Sequence, residues 1–190
     1  MSLQEALAAA GFHKLEGNCG ELAEQQEDLC RLAATPSIKR ILEIGFNAGH
    51  SAEVFLSANP TTSLTSFELG RWLYTTNGKA YIDSKFPGRH MLILGDSTKT
   101  LPEFIQTHPA PFDLLFIDGG HEGEVPEQDL QNCLRLTHPG SIVVMDDTNM
   151  PMPGRAWKKA LEAKQIQQLG QAKYSGSRLM YWGTPAQGAA

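Results

Sequence analysis

Short apolar runs that alternate with helix-spaced segments predict a doubly wound α/β fold for this sequence. Three observations carry the prediction. The runs RILEI (40–44), SLTSFEL (63–69), HMLILGD (90–96), FDLLFID (112–118) and SIVVMDD (141–147) are largely apolar, as strands buried on both faces are. The stretches between them have helical length and spacing, which indicates βαβ units on a parallel sheet. Acidic residues gather where the five runs end: Glu43, Glu68, Asp96, Asp118 and the pair Asp146 and Asp147. In a parallel sheet those ends share one edge, which is where ligands bind in open α/β folds.

The elements follow in order. Residues 21–34 carry Leu22, Leu29, Leu32 and Ala33 at helical spacing, and Thr35 and Pro36 stop them. Helical spacing returns at 50–58, at 71–86 (closed by Pro87 and Gly88), at 98–108 and at 127–136, ended by His138, Pro139 and Gly140. A short helix at 155–164 and a last strand, SRLMYWG (177–183), complete the pattern. No repeat or linker divides the chain, so one domain over 1–190 is expected. It has a helical cap at 1–37, a core at 38–183 and a frayed tail at 184–190. The cap contributes one secure helix and a loop, HKLEGNCGE (13–21). So short a roof predicts an open pocket or one completed by a second subunit in a homodimer.

Composition narrows the function classes. The net charge of −5 and the absence of a Lys/Arg run exclude a broad nucleic-acid face. No apolar run approaches the ~20 residues needed to span a bilayer, and MSLQEALAAAGF has no signal-peptide features. Three cysteines, Cys19, Cys30 and Cys133, lack CxxC spacing and fit reduced thiols in a cytoplasmic protein.

The motifs lie on the strand ends. In LEIGFNAGHSA (42–52), Gly45 and Gly49 flank the turn from strand to helix, where glycine lets the backbone approach a ligand. The spacing is GxxxG, not the GxGxxG of a dinucleotide fingerprint. Glu43 would repel a phosphate there and suits an amine. Both features disfavour an NAD-dependent oxidoreductase. Glu68 closes the second strand about 20 residues on, where a carboxylate can bind ribose hydroxyls. Asp96 and Ser97 could meet an adenine edge or form an ordinary helix N-cap. Asp118, Asp146 and Asp147 would not all ionise at one point without a cation, and oxygen ligands suit Mg²⁺. The plain alternative has Asp118 positioning a cofactor, Asp147 capping a turn and Asp146 solvated.

Together these motifs resemble the class I S-adenosylmethionine-dependent methyltransferases, with the likeness spanning Ile41 to Asp147. The resemblance implies a Rossmann-like, mostly parallel seven-stranded sheet with helices on both faces. It implies that Glu43 and the turn through Gly45, Asn47, Gly49, His50 and Ser51 hold the methionine part of S-adenosylmethionine. Glu68 would hold the ribose, Gly95, Asp96 and Ser97 the adenine, and Asp118 would lie beside the cofactor. Metal-dependent small-molecule O-methyltransferases carry a comparable acidic trio. The Asp followed by Asp-Asp here is similar to the sugar-modifying subgroup, whereas catechol-type enzymes have Asp-Asn. Catechol-type enzymes place a lysine where this chain has His121, and the sugar-modifying ones an aspartate where it has Gly120. The expectation is therefore methyl transfer to a small hydroxylated acceptor, with a divalent cation on Asp118, Asp146 and Asp147 and His121 as base. TNMPMPGRAW (148–157) would wall the acceptor pocket or form a crossover loop. Because the usual base is replaced, a non-catalytic S-adenosylmethionine-binding protein is the alternative.

Overall fold

A computed structural model describes residues 1–15 and 19–186. Part of the expected loop, residues 16–18, and the tail residues 187–190 lie outside the described residues. Seven strands form one sheet: β1 (Arg40–Ile44), β2 (Ser63–Glu68), β3 (His90–Leu94), β4 (Leu114–Ile117), β5 (Ile142–Met145), β6 (Ile166–Lys173) and β7 (Leu179–Pro185). Their order is β3-β2-β1-β4-β5-β7-β6. The first five are parallel, and β7 runs antiparallel to both β5 and β6.

Among the described residues seven α-helices accompany the sheet: α1 (Leu3–Ala9), α2 (Ala23–Ala33), α3 (His50–Ala58), α4 (Leu73–Lys85), α5 (Ser97–Thr107), α6 (Val125–Leu134) and α7 (Pro151–Glu162). Two cores follow from the strand alternation. On one face Ile41, Leu64 and Phe116 pack with Leu29, Phe55 and Ile82 of α2, α3 and α4. On the other, Leu42, Phe67 and Leu115 pack with Leu101, Leu130 and Trp157 of α5, α6 and α7. This is the doubly wound, Rossmann-like architecture the sequence predicts.

The departures have local causes. β6 was not expected, because IQQLGQAK is polar on alternate positions and interrupted by Gly170; it forms an edge strand, which needs only one apolar face. α1 was also not expected. Its alanine-rich sequence gives a weak apolar stripe, but Ser2 and Glu5 form a reciprocal capping box, and Leu3 and Leu7 pack on Ala48 and Tyr74. α7 begins four residues before the predicted start, since a proline in the first helical turn costs no intrahelical bond. The stretch 148–157 is therefore largely helix, not loop. The expected tail is β strand through Pro185.

Strand order reverses between β1 and β4, which are neighbours with Ile44 opposite Ile117. The residues that follow, Gly45 and Asp118, thus stand together at the topological switch point. Crevices at such points receive ligands in open α/β sheets.

Candidate active site

Gly45 has φ +98°, and a Cβ there would lie 2.0 Å from the Asp118 carbonyl oxygen. Only glycine lets the two chains come this close. The turn then runs through Asn47, also left-handed at φ 51°, to Gly49, which precedes the α3 N-terminus. The Asn47 N–H donates to Glu68 Oε2 at 2.8 Å and the Gly70 N–H to Glu68 Oε1 at 3.0 Å. Glu68 is half-buried, and each oxygen keeps acceptor capacity for a hydroxyl. His50 Nε2 lies 3.4 Å from Gln4 Oε1, so α1 reaches across to the start of α3.

Glu43 sits behind this turn. It is wholly buried, accepts from Ser66 Oγ at 2.5 Å, and also accepts from Ser51 Oγ. His90, stacked on Phe46, approaches the same Ser66 hydroxyl at 3.0 Å. Burial raises the Glu43 carboxyl to about 7, against the two serine hydroxyls. Its side chain ties β1 to β2 and α3, and its oxygens face serines.

Asp96 is the N-cap of α5, accepting from the Thr98 N–H at 3.0 Å and the Thr98 hydroxyl at 2.7 Å. Gly95 precedes it at φ +134°, and Ser97 opens the helix, half-buried.

The third cluster holds Asp118, His121, Asp146 and Asp147. His121 Nε2 is 3.2 Å from Asp147 Oδ2 and 3.9 Å from Asp118 Oδ1. Potential ligand atoms of Asp118, His121 and Asp147 all lie within 4.8 Å of one another. Asp146 is not in that group, a departure from the expected trio. Successive residues at a strand end face opposite ways; both carboxylates are buried, but Asp147, with φ 50°, meets His121 and Arg178, while Asp146 meets Gln25 of α2. Asp146 Oδ2 accepts from Gln25 Nε2 of α2 at 2.6 Å. Asp146 Oδ1 and Gln25 Oε1 are buried with no hydrogen-bond partner among the described residues.

Electrostatics here follow from burial and crowding. Burial raises the Asp146 carboxyl to about 8, with Asp118 and Asp147 adding to the shift. Asp118 is raised by burial and then by Asp147, while His121 opposes the shift. The Asp118 carboxylate raises the His121 imidazole above its ordinary value, against the effect of burial. Arg178, immediately before β7, places Nε 3.0 Å from Asp147 Oδ1.

Sequence reasoning passed over Gln25, Ser66, Asp129 and Arg178. Gln25 had a signal: it sits three residues after Leu22 and four before Leu29, a polar side chain on an apolar stripe. Arg178 had none, because its place depends on the unexpected β6–β7 hairpin.

A family model described as a methyltransferase domain matches residues 42–148. The catechol O-methyltransferase of Mycobacterium tuberculosis is 29% identical over 148 residues, covering 77% of this chain. The chain spans 64% of the length of that relative. Among solved structures, the O-methyltransferase TomG from Streptomyces achromogenes, in complex with SAM, superposes with a TM-score of 0.75 at 20% identity. That likeness covers 97% of this chain and 87% of TomG. An O-methyltransferase from Bacillus cereus in complex with SAH gives a TM-score of 0.75 at 17% identity, covering 96% and 90%.

Proposed function

Because this chain belongs to the methyltransferase domain family, we propose that it transfers a methyl group from S-adenosylmethionine to a hydroxyl oxygen of a small acceptor. The observation that carries the reading is the juxtaposition at the switch point. The Gly45 turn and Glu68 form a cradle, and the Asp118, His121 and Asp147 group stands directly beside it.

The cradle fits the donor. A Cβ at Gly45 would close it, and Glu68, tied to the turn through the Asn47 N–H, offers carboxylate acceptors of the kind that bind a ribose diol. Asn47, Gly49, His50 and Ser51 would line the methionine end, with Glu43 holding the turn from behind. Ser97 would meet the adenine. When bound, S-adenosylmethionine supplies an already activated methyl group, so the protein's task is chiefly alignment.

A divalent cation fits the acidic group too. Two carboxylates and an imidazole come within one ion's reach, and Asp146 Oδ1 is a buried acceptor without a donor. Asp118 and Asp147 would hold the ion, which lowers the pKa of a bound hydroxyl. Arg178 keeps Asp147 oriented through its other oxygen. His121 takes the proton from the acceptor hydroxyl, its imidazole aimed between the two aspartates. A second reading makes His121 the third ligand, favoured by the common 4.8 Å reach of the three side chains. His121→Asn separates them: a base loses turnover at unchanged metal affinity, whereas a ligand loses metal affinity.

Small hydroxylated acceptors are the partners this reading implies, in keeping with the likeness to a catechol O-methyltransferase. No helix among the described residues is long and apolar enough to cross a membrane. The test is labelled-methyl transfer to a panel of catechols, other phenols and sugar hydroxyls, with and without chelator. Labelled product that falls on chelation and returns with Mg²⁺ is the expected result. Donor binding without product on any acceptor would favour the non-catalytic alternative.

A further inference from the structure

Shortly after Glu68 the chain leaves Trp72 and Leu73 exposed, at 45% and 81%. Large apolar side chains gathered on a surface mark a binding face, whereas scattered ones do not. These two border a cavity of about 620 Å³, within the size range of small-molecule sites. One wall is the start of α4, with Trp72, Leu73 and Tyr74; the other is the segment after α1, with Phe12 and Lys14. Arg71 also lines the cavity. Gly70, which precedes Arg71, donates its N–H to Glu68 at 3.0 Å, so the cavity adjoins the proposed donor cradle. It shares no lining residue with the glycine turn or with the Asp118, His121 and Asp147 group.

The walls suit a flat ring. Trp72 and Tyr74 stack with centroids 5.8 Å apart and planes 11° from parallel, and Phe12 meets Tyr74 edge-on at 6.0 Å and 81°. Offset-stacked and edge-to-face contacts are the favourable aromatic arrangements, and a ligand ring would extend the same series. The charged residues of the lining, Lys14 and Arg71, are both cations and both exposed. The chain as a whole carries a net charge of −5, yet among the described residues this lining has two positive charges and no negative one. Such a cavity is complementary to an anion. A guanidinium offers two parallel N–H donors, the geometry a carboxylate accepts. We propose that the cavity is a second binding site, for a small planar aromatic carboxylate. The ring lies among Phe12, Trp72 and Tyr74, and the carboxylate meets Arg71 and Lys14. The inference stands independently of the methyl-transfer reading.

The experiment is an NMR titration of the nitrogen-labelled full-length protein with naphthalene-2-carboxylate. Chelator is present, so no cation at the acidic group can hold the carboxylate. The tryptophan indole N–H signals report the place, because Trp72 is exposed and Trp157 is fully buried; Trp72→Phe assigns the signal. The Trp72 signal is expected to move and saturate. Naphthalene-2-carboxamide, the neutral analogue, should bind about tenfold more weakly, since it lacks the charge-assisted contacts. Lys14→Glu combined with Arg71→Glu changes two exposed positions that the fold tolerates. It should weaken the carboxylate about tenfold or more and leave the carboxamide within about twofold. Saturating S-adenosylhomocysteine should leave the carboxylate's affinity unchanged. A carboxamide that binds as tightly as the carboxylate would overturn the proposal, as would a double variant that binds the carboxylate like wild type. Competition by S-adenosylhomocysteine would place the carboxylate in the donor cradle and overturn the second site. A Trp72 signal that does not move would overturn it outright.

Discussion

At the end of β1, buried Glu43 receives two serine hydroxyls and neither oxygen is left over. At the end of β5, two strands away, Asp146 has one oxygen on Gln25 and the other without a hydrogen-bond partner among the described residues. Its neighbour Asp147 is balanced by Arg178 and His121, side chains from different elements. Both corners bury carboxylates on one sheet edge, yet their polar accounting differs. A carboxylate saturated by neighbouring hydroxyls is fixed and has little to offer a ligand. One with spare acceptor capacity, next to cationic groups that can change partners, is prepared to meet something else. The contrast supports reading Glu43 as a brace behind the turn and the β4–β5 corner as the proposed seat of the chemistry.

Substitutions can sharpen or break that contrast. The largest effect is expected for Asp147→Asn, which removes charge from the β5 corner but keeps its shape. Turnover should fall by about 100-fold or more, while donor affinity measured by calorimetry stays close to wild type. A fall in donor affinity as large as the fall in turnover would erase the distinction between the corners. Glu43→Leu should act the opposite way. It strands the Ser51 and Ser66 hydroxyls in the core, costing about 3 kcal/mol, read as a lower midpoint in urea unfolding. Gln25→Leu comes next. It removes the Gln25 amide donor from Asp146 and should cost about 2 kcal/mol. Added Mg²⁺ should restore part of that stability if the corner binds a cation.

A separate effect is a pH dependence from Glu43. Its folded carboxyl is raised to about 7 from 4.5. The folded state therefore holds a proton that the unfolded state has already released, and the stability this contributes falls as pH rises from about 4.5 to about 7. Above that window the contribution is flat. Glu43→Gln should remove this component, so the stability difference between variant and wild type changes across the window and nowhere above it. Unfolding midpoints at pH 5, 6, 7 and 8 would show it.

Much of this was legible beforehand because a parallel sheet writes itself plainly. RILEI and FDLLFID are buried on both faces, so they appear as apolar runs whatever surrounds them. The glycine turn and the acidic strand ends were legible for the same reason, since strand polarity alone sends Gly45, Glu68, Asp118 and Asp147 to one edge. What could not be seen depended on direction or distant contacts. Asp146 and Asp147 are adjacent in sequence, and only the folded backbone shows that Asp147, at φ 50°, is the one that joins His121. Gln25 and Arg178 reach the site from an N-terminal helix and the last strand, separations across which periodicity carries no information. β6 was hidden because an edge strand alternates polar residues and shows no continuous apolar run.

The proposed cradle for S-adenosylmethionine in the β1–β4 crevice is open to a single decisive titration. Calorimetry of that compound with the purified protein, with Mg²⁺ present and NAD as the control, should give saturable binding at one site and no heat from NAD. Silence from S-adenosylmethionine, or binding of NAD in its place, would rule the cradle out.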